Sequence, residues 1–371
     1  MRVPLFLILI CCFISLMVSG QVKQDSLYIT PDTLPGLHPD TVAFIKKDTL
    51  TIIGVGDIMM GTNYPENKLP ADDGAFLMRE VESILRNADV TFGNLEGVLL
   101  DSGGIPKTCK DPKVCYAFRT PVTYISNLVN AGFDMMSLAN NHAGDMGAAG
   151  RKSSMKTLDE VGILHAGQLE QQTVIFKRDS LTYGLVAFAP NNNCVSLNDH
   201  ENARRLVMQL DSVCDIVIVS FHGGAEGAQY QHVPRAYEPF HGENRGDVYK
   251  FSHTLIDAGA DIVFGHGPHV TRGVELYKNR FIAYSLGNFC TFRGISVNGI
   301  NGLAPIIKVY ANPKGEFLKA EIIPTYQTYG EGVRIDPQRQ VTRIIRDLSK
   351  KDFPESPLRI EENGLITYLA Q

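Results

Sequence analysis

The chain has 371 residues, 44% apolar and 20% charged, with 35 Lys and Arg against 40 Asp and Glu for a formal net charge of −5. A chain of this size buries a sizeable core in one large or two medium domains, and nothing in it is collagen-like or disordered throughout. The acidic balance argues against general nucleic-acid binding, whose affinity rests on Lys and Arg neutralising phosphates.

Residues 1–20, MRVPLFLILICCFISLMVSG, carry one positive charge and then an apolar run too short for a full bilayer span. Val18 and Gly20 are small residues where a signal peptidase reads, so a leader cleaved before Gln21 is expected. That implies export to the periplasm or cell envelope, with no transmembrane anchor after cleavage. A lipid anchor at Cys11 or Cys12 is the alternative, disfavoured by the bulk of Ile10. Residues 21–48, rich in Asp, Pro, Thr and Lys, read as an arm or linker.

From Thr49 short β-branched runs alternate with helical stretches. The pattern predicts a strand over 51–56, a helix over 73–88 and a strand over 89–93. Thr120 and Pro121 read as the N-cap and first turn of a helix closed by Gly132. Strands over 133–139, 181–189, 215–221 and 261–265 follow, separated by helices over 148–161, 200–213 and 252–258. This order argues an α/β protein with largely buried strands. Beyond residue 270, GVELYK and RFIAYSLG meet at Asn279, and IIKVYAN and EFLKAEIIPTY follow, suggesting a second, more antiparallel sheet. A final helix near 338–350 completes the reading, with one domain over 49–330 and a C-terminal helical extension over 331–371. The stretches 101–119 and 223–248 read as surface loops around a site.

Beyond the leader lie Cys109, Cys115, Cys194, Cys214 and Cys290, with no Cys-x-x-Cys spacing to suggest a thiolate zinc site. Cys109 and Cys115 flank a short loop and could close a disulfide in an oxidising compartment. Cys214, beside DIVIVSF, reads as a small buried hydrophobe.

The informative signal is where the polar residues fall. TIIGVG runs into Asp57, VTFG into Asn94 and Glu96, and MMSLA into Asn140, Asn141 and His142; VIVSF ends at His222, with Glu226 soon after, and DIVFG runs into His266 and His269. In α/β folds ligands bind where the carboxyl ends of strands converge. Asp57, Glu96, Asn141, His222, His266 and His269 together suit one or two divalent ions such as Mn, Fe or Zn. Asn94, Asn140, Glu226 and Asn288 are candidates for holding substrate beside them. Each residue also has an ordinary reading: Asp57 as a turn cap, Asn140–Asn141 as a turn pair, and a lone His222 as a hydrogen-bonded structural residue. Their joint arrival at strand ends favours a site.

At the segments GVGDIMMG, GNLEG, YAFRTP, AGFDMMSLANNHAGDMG, IVSFHGGAE and LIDAGADIVFGHGPHVTRGVELYKNRFIAYSLGNF, spread over roughly residues 50–292, the chain resembles the CapA (poly-γ-glutamate capsule biosynthesis) family of the calcineurin-like metallophosphoesterase superfamily. The resemblance implies a four-layer α/β/β/α sandwich of the metallophosphatase type with its metal site between the sheet edges. It assigns Asp57 to a first metal, Glu96 or Asn94 to the bridging position, and Asn141 and His222 to a second metal, with His266 and His269 divided between the two. His142 would act beside Asp57 in catalysis, as general acid or oxyanion stabiliser. Met59 stands where the superfamily's first motif has histidine, and His-Gly-Pro-His is one residue longer than the usual His-x-His, so the first position loses a ligand. The resemblance leaves two functions open. One is an exported metal-dependent hydrolase acting on a phosphoester or an anionic amide-linked polymer such as polyglutamate. The other is a non-catalytic component of polymer synthesis, export or anchoring, with envelope proteins as partners. Arg119, Arg235, Arg245 and Arg293 are candidate clamps for an anionic substrate, with a solvated surface role as the default.

Overall fold

Runs that are apolar on both faces need cover on both sides, and the fold supplies it. The computed structural model describes residues 47–109 and 115–369; the expected leader and the arm up to residue 46 lie outside the described residues. Successive side chains of the strand Leu50–Met59 point to opposite faces. Ile52 joins a core with Phe92, Met135, Leu185, Ile218 and Phe264. Ile53 and Val55 join a separate core with Leu128 of helix Ile125–Ala131 and Leu158 of helix Gly147–Val161. A third core sets Val217, Val219 and Val263 against Leu206 and Leu210 of helix His200–Asp211 and Phe251 and Leu255 of helix Val248–Asp257. The layers are therefore helix, sheet, sheet, helix: an α/β/β/α sandwich.

The first sheet has ten strands, running Leu358–Ile360, Leu365–Tyr368, Phe317–Tyr326, Leu303–Ala311, Leu50–Met59, Val90–Leu95, Met135–Ser137 and Leu164–Ala166 along its main path. Its half from Leu50–Met59 onward is parallel, and the other half antiparallel. The strand Asn288–Thr291 lies parallel to the end of Leu50–Met59. The second sheet has six strands, in the order Val274–Tyr277, Arg280–Ala283, Ile262–His266, Ile216–His222, Leu181–Phe188 and Thr173–Arg178. Between the sheets Phe92 and Phe264 stack with ring centroids 5.7 Å apart. Gly54 permits that approach, since a Cβ there would lie 2.4 Å from the Phe264 ring.

Several sequence expectations are corrected. The stretch 73–88 is not one helix: Asp73 (φ 47°) and Gly74 (φ 72°) adopt left-handed backbone, and only Glu82–Leu85 is α-helical. Its apolar residues Leu77, Met78, Val81 and Leu85 are buried all the same, which is what the spacing recorded. Thr120 does not cap its helix; its Oγ1 donates to the Gly61 carbonyl at 2.6 Å. That helix starts as a 3₁₀ turn at Val122 and ends at left-handed Gly132, φ 79°. The segments beyond residue 270 do not form a sheet of their own. Val274–Tyr277 and Arg280–Ala283 join the second sheet, while Leu303–Ala311 and Phe317–Tyr326 extend the first. Residues 331–371 are not simply helical: besides helix Gln340–Asp352 they contribute Arg334–Ile335, Leu358–Ile360 and Leu365–Tyr368 to the first sheet. Among the described residues no helix is long and apolar enough to cross a membrane.

Candidate metal centre

Both sheets bring strand ends to one rim. Asp57 stands in register with Asn94 on one side and Asn288 on the other, and His266 stands beside His222 on adjacent parallel strands. Asp57, Glu96 and His222 each offer a ligand atom within 4.8 Å of the others, and all three are fully buried.

A relay of amides holds Asp57. Asn140 Nδ2 donates to Asn94 Oδ1 at 3.0 Å, and Asn94 Nδ2 donates to Asp57 Oδ1 at 2.9 Å. Asp57 Oδ2 is left without a hydrogen bond. Asn140 is otherwise spent on the Leu95 carbonyl and the His142 amide, so it and Asn94 position the site and have little left for a substrate. The Asp57 amide donates to Gly287 O at 2.8 Å, and a Cβ on Gly56 would lie 2.0 Å from that same oxygen. Gly56→Ala is therefore expected to push the Gly287 carbonyl and Asp57 apart. It should cost about 2–3 kcal/mol in thermal unfolding and weaken metal binding in a titration.

His269 lies between the carboxylates. Its Nδ1 is 3.0 Å from Asn288 Oδ1 and 3.2 Å from Asp57 Oδ2, and its Nε2 is 3.6 Å from Glu96 Oε1. Asn288 Nδ2 faces the carbonyls of His269, Ser296 and Asn301, which turns its Oδ1 toward His269 and makes Nδ1 the donor. The contact with Asp57 is thus an ion-pair approach, the hydrogen bond going to Asn288. Asn288 orients a ring and has no free group for a substrate.

The electrostatics follow from burial. Burial opposes ionisation of Asp57, but the neighbouring His269, the charge of His266 and the Asn94 amide outweigh it and hold its carboxyl below the ordinary value. Glu96 has less help: burial and then the Asp57 charge push its carboxyl well up against the opposing charge of His269. Burial would lower His269, yet Glu96, Asp57 and Glu226 raise it to about 10. Burial and then the Arg245 charge hold His222 well below its usual value, leaving the neutral ring a metal requires.

Other expected residues stand differently. His266 Nε2 is 3.1 Å from the Val55 carbonyl, which can only accept, so that nitrogen carries the proton; Nδ1 faces Ser220 Oγ at 3.4 Å. The ring is thus engaged by protein on both sides and is not brought into the donor cluster. Asn141 is half-buried with its Oδ1 unpartnered. His142 stacks on Phe118 at 4.3 Å, and its Nδ1 is 2.7 Å from Asp145 Oδ2. Glu226 is held by Arg245 at 3.0 Å rather than facing a substrate freely.

Among the four candidate clamps, Arg245 is only 2% exposed, so the surface reading fails for it. Arg119 is taken by Asn63, Arg235 by Glu355 and the Tyr249 ring, and Arg293 by the rings of Phe292 and Tyr329. The sequence reading missed Asp145, Lys107 and Arg272. Asp145, three residues past His142, had a legible spacing signal; the other two had none. Cys109 and Cys115 are disulfide-bonded, as their spacing allowed.

Comparison with known proteins follows the same residues. Residues 51–292 match the family model described as bacterial capsule synthesis protein PGA_cap. The capsule biosynthesis protein CapA of Bacillus anthracis is 28% identical over 82% of this chain and 74% of its own length. The PGA biosynthesis protein CapA of Bacillus subtilis is 27% identical over 82% of this chain and 79% of its own. Among solved structures, a 5'-nucleotidase precursor from Thermus thermophilus aligns at 12% identity and a TM-score of 0.42, covering 76% of this chain and 55% of that one. The family match covers the strands and loops that carry every residue of the rim, and the chain belongs to the bacterial capsule synthesis protein PGA_cap family.

Proposed function

We propose that the chain is an exported hydrolase of capsule or polyglutamate-type polymer metabolism, dependent on a divalent metal ion and cleaving a phosphoester or amide bond. One observation carries the reading. Asp57 Oδ2, both oxygens of Glu96, Asn141 Oδ1 and both nitrogens of His222 are buried without a hydrogen-bond partner. Stranding a buried polar atom costs about 1–3 kcal/mol, so such a group of donors on one rim calls for a ligand. Carboxylate, amide oxygen and neutral imidazole suit Mn, Fe or Zn. The set is sufficient for one ion. A second would need Asp57 Oδ1, His266 or the Met59 position, and these are engaged by Asn94, by Val55 with Ser220, and by the Gly61 amide on the Met59 sulfur at 3.3 Å.

A divalent cation bound there supplies Lewis-acid polarisation and an acidified water. The chain's own residues do the rest. Asn94 aims Asp57, Asn288 aims His269, and Asp145 fixes the His142 tautomer with Nδ1 protonated. His142 Nε2, left as the free acceptor, would take up the proton released by the acidified water and hand it to the leaving group. The thioether at Met59 favours the second reading, a non-catalytic envelope component that keeps the scaffold. The test is metal content and Mn²⁺ titration of the purified chain, with hydrolysis of bis(4-nitrophenyl) phosphate and of poly-γ-glutamate. One equivalent of metal is expected, with hydrolysis lost in Asp57→Ala and His222→Ala. A metallated protein inert on both substrates supports the second reading, and a chain that binds no metal sinks the first.

A further inference from the structure

Lys107 reaches the same rim from the loop that carries the disulfide. Its Nζ forms an ion pair with Asp145, 2.6 Å from Oδ1, donates to the Asn141 carbonyl at 3.1 Å, and lies 3.2 Å from His142 Nδ1. Its backbone N–H donates to the Asp145 carbonyl at 2.8 Å. One lysine therefore grips the 140–145 turn by backbone and side chain. That turn carries the unpartnered Asn141 oxygen and the His142 ring. From the other limb of the loop, the Phe118 amide donates to Asp145 Oδ2 at 2.5 Å and its ring stacks on His142. Asp145 is fully buried, so its carboxylate needs these donors. The two limbs have no regular structure between Leu99 and Arg119 among the described residues; besides the Arg119 Nη1 hydrogen bond to the Gly103 carbonyl at 3.1 Å near their base, the Cys109–Cys115 bond joins them, two residues beyond Lys107 and three before Phe118.

We propose that Lys107 is a positioning residue for Asn141 and His142, and that the Cys109–Cys115 disulfide is the tie that keeps it in place. The inference rests on the metal-site reading above. A dithiol such as dithiothreitol opens the tie by thiol–disulfide exchange: it gives up two electrons and two protons, the protein S–S bond breaks to two thiols, and the reagent leaves as its own disulfide. Such a tie suits an oxidising compartment. Losing the grip frees the backbone at Asn141 and lets its side-chain oxygen drift from the other donors. Losses of this kind, one step removed from the ligand, weaken metal binding about 10–100-fold.

The experiment is isothermal titration of the full chain with Mn²⁺. Lys107→Met keeps the aliphatic stem and removes the charge, Lys107→Arg restores it, and Cys109→Ser with Cys115→Ser removes the tie. Thermal unfolding of each, and of wild type with and without dithiothreitol, is followed in parallel. Lys107→Met is expected to weaken Mn²⁺ by about 10–100-fold, and the cysteine pair or dithiothreitol by a similar factor. Lys107→Arg should recover part of it. Combining Lys107→Met with the serine pair should add little, because the tie acts through the lysine. Unchanged Mn²⁺ affinity in Lys107→Met, or fully additive losses, would overturn the proposal and leave the metal site standing. A wild-type chain that binds no Mn²⁺ removes the metal site and this proposal together.

Discussion

Glu96→Gln is expected to abolish tight metal binding and at the same time to raise the melting temperature of the metal-free protein. Both effects have one cause. Glu96 is completely buried, and neither of its oxygens has a hydrogen-bond partner. Burial and the nearby Asp57 charge push its carboxyl well above the ordinary value of 4.5. A folded-state value raised in this way stabilises the fold only while the group is protonated. That contribution is complete below about pH 4.5, and is lost as pH rises through the folded value. Metal-free wild type therefore loses stability above about pH 4.5 in a way that Glu96→Gln does not. A neutral amide of the same size is cheaper to bury than a carboxylate, so the variant gains about 1–3 kcal/mol at neutral pH. The gap should close in acid. Removing an outer partner of a metal ligand typically weakens binding 10–100-fold, so loss of a donor should exceed about 100-fold. Chelator-treated protein is melted from pH 4 to 8 and titrated with Mn²⁺ at neutral pH. An unchanged affinity, or a lower melting temperature at pH 7, would show that Glu96 is not held there for a cation.

This trade of stability for binding separates what the sequence made legible from what it did not. Strand ends were legible because hydrophobic runs stop where the chain leaves the core. Asp57, Glu96, His222 and His266 were read as strand-end residues; the structure has Asp57 two residues inside the end of Leu50–Met59 and the others at or just past the ends of Val90–Leu95, Ile216–His222 and Ile262–His266. What a side chain does at its strand end was not legible. His222 and His266 are register neighbours with the same preceding pattern, yet one ring is unpartnered and the other lies against the Val55 carbonyl of the opposite sheet. That difference depends on how closely two sheets pack, which no local pattern records. Asn94, Asn140 and Asn288 were read as polar residues near a ligand, and hydrogen bonding makes them supports. The helix over 73–88 failed for a related reason: burial of Leu77, Val81 and Leu85 requires only that they face inward, and turns achieve this as well as a helix. Lys107 looks like any solvated loop lysine until the 140–145 turn is placed against it.

The buried arginines were the least legible of all, and Arg272 carries the second large expectation. Arg272→Ala should destabilise the protein by about 3–5 kcal/mol, because it leaves Glu238 charged, buried and unpaired. The guanidinium is a two-pronged fork on that carboxylate, with Nη1 2.9 Å from Oε1 and Nη2 2.7 Å from Oε2. Its Nε donates to the Tyr230 carbonyl at 2.9 Å, and Glu238 Oε2 accepts from the Ala225 amide at 3.1 Å. One ion pair thus ties three points of the loop 223–248 to the segment following His269, and that loop also carries Glu226 and Arg245. Removing both charges is a different experiment. Arg272→Met with Glu238→Leu leaves neither charge of the pair behind, and replacing a buried pair by apolar groups of similar volume is often neutral or stabilising. The double variant should recover most of the loss in urea unfolding. It should still be cut sooner than wild type within 223–248 in limited proteolysis, since the hydrogen bonds to Tyr230 and Ala225 are gone. A single variant that loses less than about 1 kcal/mol would mean that solvent reaches Glu238 and screens it, and the pair would then fall in the range of surface salt bridges. A double variant no more stable than Arg272→Ala would instead place the stabilisation in the backbone hydrogen bonds, with the charge pairing secondary.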